Sequence, residues 1–163
     1  MKINVKKTKV MRVSKKGEGD ISIFIERQRV EQVQKFKYLG SLMTADGRYG
    51  EEIKVRIGMA NDAFGKWKEL LTQKMNVDVK KQIVKTVVWS VALYGAETWT
   101  LRKEDIRRLI YALEMWLWRR MAKVSYKDRK TNECVLEMVG EGRKLVDMIV
   151  QRKNNWIWAC VAR

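Results

Sequence analysis

Acidic side chains are the first place to look for chemistry in this chain, because it has no histidine, the commonest general base and metal ligand. Metal-dependent phosphoryl transfer needs carboxylates that converge on divalent cations. Adjacent acids occur as Glu51 with Glu52 and as Glu104 with Asp105. Both pairs fall in the first turn of a predicted helix, where acids complement the macrodipole, and that structural role outweighs a catalytic one. Cys134 and Cys160 are far apart in sequence, so they read as reduced thiols rather than as a disulfide or zinc site. No glycine-rich phosphate loop, nucleophile elbow or metal-ligand spacing is present. The sequence offers no catalytic constellation.

Its basic side chains offer more. Thirty-five lysines and arginines oppose nineteen acids, a net charge of +16, alongside seven tryptophans. Such a charge attracts phosphate through counterion release, and indole rings either stack on bases or fill a core. The excess is uneven: residues 1–50 and 102–163 each carry +7, and residues 51–101 only +2. The middle third is therefore the most core-like.

Two helical faces concentrate these residues. On a helix expected over about 103–123, Ile106, Leu109, Leu113, Trp116 and Leu117 share the core side. Arg108, Tyr111, Met115, Trp118, Arg119 and Lys123 lie nearly opposite, a basic face interleaved with aromatics. That face reads equally as a nucleic-acid track or as a packing surface whose arginines snorkel to water. On the preceding helical stretch, Lys54, Asn61 and Lys68 flank Gly58 and Gly65. Two helical glycines cost about 1 kcal/mol each relative to alanine, which asks for close approach of another backbone, protein more readily than nucleic acid.

The elements that must position these residues follow from periodicity. Short strands are expected at Lys9–Val13, through Ile21, Ile23 and Ile25, and over about Val33–Leu42, with turns at Lys15–Asp20 and Ala45–Gly47. These strands are too few for an independent sheet. A first helix buries Ile53, Ile57, Ala60, Phe64, Trp67 and Leu71. A second starts at Asp78 as N-cap, carries Val79, Ile83, Val87, Val91 and Tyr94, and stops at Gly95. Trp89 joins the core. A short helix capped by Asn132 ends at Gly140–Gly142, and a last one carries Leu145, Ile149, Arg152 and Trp156. Trp118 and Trp158 each need a second partner. The fold class is α+β: short N-terminal antiparallel strands, then a mainly α-helical bundle.

In order along the chain, KTKVM (7–11), FKYLGSLMTADGR (36–48), EIKVRI (52–57), WSVALYGAETWTL (89–101), EMWLWRRM (114–121) and TNECVLEMVG (131–140) resemble the reverse transcriptases of non-LTR (LINE-type) retrotransposons, in the region after the catalytic centre. The resemblance implies palm-tail strands with a primer-grip-like segment over 1–48, a helical thumb over 50–125 and a helical extension over 126–163. It implies that primer–template RNA or DNA is bound through Lys37, Tyr38 and Gly40 on the grip-like strand, Lys54, Asn61 and Lys68, and Arg108, Arg119 and Lys123, with Tyr111 and Trp118 supplying stacking or apolar contact.

The family's catalytic aspartates, in a Phe/Tyr-Ala-Asp-Asp motif, lie upstream of KTKVM, and the chain holds no such pair. Mg2+ is thus implied only for the intact parent polymerase, and no cofactor for this chain, which is expected to be inactive alone, with the missing palm and fingers as partners in trans. Tyr126 stands where relatives tend to have tryptophan, and Ala159 with Cys160 where a glycine–histidine pair is usual. A helical protein-interaction module and a transposon remnant without selected function are the alternatives. With neither a signal-peptide core nor an apolar run of membrane-spanning length, the expected location is intracellular, in cytoplasm or nucleus.

Overall fold

The computed structural model describes residues 3–14 and 19–162. The chain is α+β, with short strands near the N-terminus followed by a helical region, and it divides into two units, Met1–Glu52 and Ile53–Arg163.

In the first unit, β2 (Phe24–Ile25) pairs antiparallel with β3 (Gln28–Arg29), and β5 (Lys35–Tyr38) with β6 (Ser41–Thr44). A parallel pair joins β1 (Lys9–Val10) to β4 (Glu31–Gln32), an exception to the antiparallel expectation. The single strand expected over 33–42 is instead a hairpin. It reverses at Leu39 (φ 47°) and Gly40 (φ 83°), and the left-handed pair matches strand twist as a two-residue turn does. Glu26 (φ 51°) and Arg27 (φ 65°) do the same between β2 and β3. Val30 is buried, whereas Ile23 and Phe24 are exposed, so the isoleucine alternation closes no core face here. The Ala45–Gly47 turn forms as expected: Asp46 accepts from the Thr44 hydroxyl (2.6 Å) and the Arg48 N–H (3.0 Å). Of the Lys15–Asp20 turn, residues 15–18 lie outside the described residues. Glu52 is buried and its carboxylate receives the Ser41 hydroxyl (3.1 Å) and the Leu42 N–H (2.7 Å), tying β6 to the helix that follows.

That helix, α1 (Gly50–Lys66), buries Ile53, Ile57, Ala60 and Phe64 along its expected stripe. The chain then leaves helical geometry at Trp67 (φ −102°, ψ 6°), which turns this indole outward rather than into the core, before α2 (Lys68–Thr72) restores Leu71 to the interior. Gly58 and Gly65 face open space: beyond their own stretch of helix backbone, no atom of the described residues lies within 4 Å of where a Cβ would sit. The close approach expected at these glycines is not made by the described residues.

The second helical stretch runs as α3 (Val77–Ile83), a π-helical segment (Val84–Val88) and α4 (Trp89–Ala92). Its N-cap is Asn76, whose side chain accepts from Asp78 N–H (2.8 Å), rather than Asp78. The buried row is Lys80, Val84, Val88 and Ala92, with Trp89 and Leu93, one residue out of phase with the row read from sequence. Steps of four drift around an α-helix, and the wider π-turn keeps them in line. Gly95 (φ 71°) stops the stretch before a 3₁₀ turn, Ala96–Thr98.

A continuous helix over 103–121 follows: α5 (Lys103–Arg108), a second π-helical segment (Leu109–Glu114) and α6 (Met115–Met121). Then come α7 (Asn132–Val139), capped by Thr131 rather than Asn132 (Thr131 Oγ1 accepts from Cys134 N–H, 3.3 Å), and α8 (Leu145–Val161). α8 packs on the 3₁₀ turn and on the second π-segment. Arg152 donates to the Leu93 carbonyl (3.3 Å) and Lys153 to the Trp99 carbonyl (3.1 Å). Trp156 remains half exposed. Cys134 and Cys160 are free thiols. No helix among the described residues is long and apolar enough to cross a membrane.

Candidate nucleic-acid interface

Within the helical unit, α2 packs on α6. Lys68 opens α2 and Thr72 closes it; Arg119 and Arg120 end the basic run on α6, and Lys123 follows in a left-handed conformation (φ 56°). These residues, with Phe64, Val124 and Ser125, line one cleft. Four cations therefore meet two hydroxyls over an apolar floor, and among the described residues no carboxylate lines the cleft. Like charges gathered in this way favour an anionic occupant.

The positions of the arginines have local causes. Arg120 lies over the Trp116 ring (4.5 Å), which itself meets Phe64 edge-on (5.4 Å, 70°). A guanidinium resting on an aromatic face is held by the ring quadrupole and keeps its N–H fork outward. Arg119 braces the segment after α6, donating to Asn132 Oδ1 from Nε (3.3 Å) and Nη2 (2.9 Å) and to the Lys130 carbonyl (2.7 Å).

Other cations of this unit have structural work. Lys85 pairs with Glu141 at 2.5 Å, and Lys144 reaches the same carboxylate at 3.3 Å. Burial raises the pKa of Glu141, but these two ammonium groups outweigh it and leave the carboxyl below its ordinary value. Arg108 pairs with Asp105 (3.3 Å) and Glu104 (3.8 Å). Among the described residues, Lys68, Arg120 and Lys123 form no ion pair. Their charge is left for something outside the unit.

Of the residues singled out from sequence, the structure brings together Lys68, Arg119 and Lys123. Lys54 and Asn61 sit farther up α1 and do not line the cleft; the Asn61 Oδ1 is enclosed without a hydrogen-bond donor among the described residues. Lys37, Tyr38 and Gly40 belong to the β5–β6 hairpin of the first unit, where Lys37 faces Leu42, Tyr38 faces Ser41, and Tyr38 is exposed.

Two expectations about the basic–aromatic face need correction. Trp118 is fully buried, edge-on to Trp89 (5.9 Å, 63°), and cannot stack on a base, and Met115 is buried with it. The reason is the π-segment Leu109–Glu114. One extra residue per turn rotates everything after it by about 100° relative to an α-helical wheel. Trp118 therefore swings inward and Trp116 outward, which is why Trp116 is only half-buried and serves as the ledge for Arg120. The same rotation separates Arg108 and the exposed Tyr111 from Arg119 and Lys123, and Arg108 is occupied by its two acids.

Sequence reasoning missed Arg120, Thr72, Ser125 and the segment beyond. One signal was present: residues 119–131 hold six cations and one acid. Comparison of the chain with protein-family models, curated proteins and solved structures finds no match.

Proposed function

We propose that the helical unit binds the phosphate backbone of nucleic acid in the Lys68–Arg119–Arg120–Lys123 cleft. On this reading the chain is a thumb-like portion of a LINE-type reverse transcriptase that grips primer–template and carries no catalytic aspartates. The observation that carries the binding is the convergence of four cations, from α2 and from α6 with its C-terminal turn, on a cleft that no carboxylate lines among the described residues. The Ser125 hydroxyl, whose oxygen accepts from Lys127 N–H, keeps its proton for a phosphate oxygen, which accepts hydrogen bonds from such groups throughout nucleic-acid interfaces. The ordered series of motifs supports the polymerase parentage, and the absence of adjacent aspartates supports a binding rather than a catalytic role.

The test is a salt titration of duplex affinity. Each neutralised phosphate contributes about −0.9 to the slope of log K against log[salt] on B-DNA. Lys68→Ala, Arg120→Ala and Lys123→Ala should each weaken binding and make the slope shallower by about one such unit. Affinity indifferent to salt and to all three substitutions would end the proposal. Nucleotide incorporation on a primed template by the purified chain would end the non-catalytic part of it.

A second reading, a protein-docking module, draws on α8, where Trp156, Ile157, Trp158 and Val161 are exposed. It is favoured if alanine at Trp158 abolishes a partner interaction while the cleft variants leave that interaction intact.

A further inference from the structure

Beyond Ser125 the chain forms a basic concavity lined by Arg119, Tyr126, Lys127, Arg129, Lys130 and Thr131, of about 870 Å³. That volume lies inside the roughly 300–1,000 Å³ of small-molecule and cofactor sites, enough for a nucleotide. It shares Arg119 with the cleft described above. Tyr126 projects from it with 96% of its surface exposed, more than any other large hydrophobic or aromatic side chain described. Among the described residues none holds the ring, yet its backbone is held tightly.

The holding is local and complete. Ser125 N–H donates to Asp128 Oδ2 (2.6 Å), Lys127 N–H donates to Ser125 Oγ (3.4 Å), and Arg129 turns the chain in a left-handed conformation (φ 47°). Asp128, the one acid of residues 119–131, is thereby engaged by the backbone. Arg119 fastens the far end through the Lys130 carbonyl and Asn132. The turn presents an aromatic face and three further cations on a braced loop, the combination that single-stranded nucleic acid recognises through stacking and phosphate contact.

We infer that the Tyr126–Thr131 turn is a subsite for an unpaired nucleotide, whose base stacks on Tyr126 while its flanking phosphates meet Lys127 and Arg129. The inference rests on the proposed backbone-binding cleft and extends it: a strand leaving that cleft past Arg119 arrives at the tyrosine. A paired base keeps its faces in the duplex stack, so the subsite discriminates unpaired from paired nucleic acid.

The experiment compares the full chain's affinity, by fluorescence anisotropy at one fixed salt concentration, for a blunt duplex and for the same duplex with a short single-stranded overhang. The wild-type chain should prefer the overhang. Tyr126→Ala should remove that preference, with a loss of about tenfold on the overhang substrate and none on the blunt one. Tyr126→Phe and Tyr126→Trp should keep it, since each retains an aromatic face. Equal affinity of the wild-type chain for the two substrates, or a Tyr126→Ala chain that retains the preference, overturns the subsite. In either case Lys68→Ala and Arg120→Ala still report on the cleft, because they should weaken blunt-duplex binding. If no oligonucleotide binds at all, cleft and subsite fall together.

Discussion

Arg119 and Asn132 are joined by a two-point contact: Nε and Nη2 of the guanidinium both donate to the same amide oxygen, at 3.3 and 2.9 Å. The pair closes a thirteen-residue excursion from the end of α6 to the first residue of α7, within which the basic turn is suspended. Bracing and charge therefore meet in one side chain, and substitution can separate them. Arg119→Lys keeps the charge but not the planar fork, so it should loosen the loop. Hydrogen exchange of amides 125–131 should accelerate, with the helical unit intact. Asn132→Ala should do the same while leaving every cation in place. Unchanged exchange in both variants would show that the brace does not order the turn.

Gly58 and Gly65 make a sharper test of what the outer face of α1 does. Both are helical, and a methyl group at either would meet nothing within 4 Å. Alanine at each should stabilise the fold by about 0.5–1 kcal/mol, by lowering the entropy of the unfolded chain and raising helix propensity. Thermal denaturation of the single and double variants checks this. If nucleic acid instead approaches the helix backbone here, the same variants will gain stability and lose affinity. Because neither glycine lines the Lys68 cleft, the expected outcome is higher Tm with unaltered binding.

What was legible in the sequence is set by helical phase. α1 follows the ideal period, and its buried stripe is the one read from Ile53, Ile57, Ala60 and Phe64. The wheel fails in both later stretches: past the second π-segment Trp118 is buried where exposure was expected, and Val79, ahead of the first, is exposed where burial was expected. In the second stretch, valines and isoleucine occupy two adjacent registers, so composition could not choose between them; the buried row includes Lys80, which no hydrophobic pattern would select. Hairpin reversal at Leu39 was equally hidden, because leucine seldom takes φ of 47°. The cleft was half legible. Charge and face point to Lys68, Arg119 and Lys123, while the side on which Arg120 falls depends on the same π rotation.

Lys123 offers a variant in which stability and binding part company. It holds φ of 56° directly after Ala122, the left-handed position where helices commonly end in glycine. A side chain there is strained by roughly 1 kcal/mol. Lys123→Gly should relieve that strain and leave Tm unchanged or slightly higher, since the gain is offset by the greater entropy of the unfolded chain. Affinity for duplex should still drop, with a shallower salt slope, because one cleft cation is gone. Lys123→Val should lower Tm, a β-branched residue being the poorest occupant of that conformation. Equal stability of the glycine and valine variants would contradict the geometry.

Glu114 and Glu141 should give stability opposite dependences on pH. Glu114 is fully buried; its Oε1 accepts the N–H groups of Lys144 (2.9 Å) and Leu145 (3.1 Å), capping α8, while Oε2 has no hydrogen-bond partner among the described residues. Burial raises its pKa above the ordinary glutamate value and outweighs the two N–H donors. A raised folded-state pKa means that its contribution is complete below the unfolded-state pKa and declines as pH rises through the folded-state one. Glu141 has a lowered pKa, so its contribution is present above the unfolded-state value and declines as pH falls through the folded-state one. Glu114→Gln imitates the protonated acid and keeps the capping oxygen. It should cost little near neutral pH and remove the decline on the alkaline side of the ordinary glutamate pKa. Glu114→Ala leaves the buried Leu145 N–H and the part-buried Lys144 N–H without their acceptor and should cost about 2–3 kcal/mol. Glu141→Gln should destabilise at neutral pH by about 1 kcal/mol and converge with the wild type in acid. Urea denaturation of the wild type and three variants between pH 3 and pH 8 checks all of these, and matching pH slopes for Glu114→Gln and Glu141→Gln would refute the assignment of opposite signs.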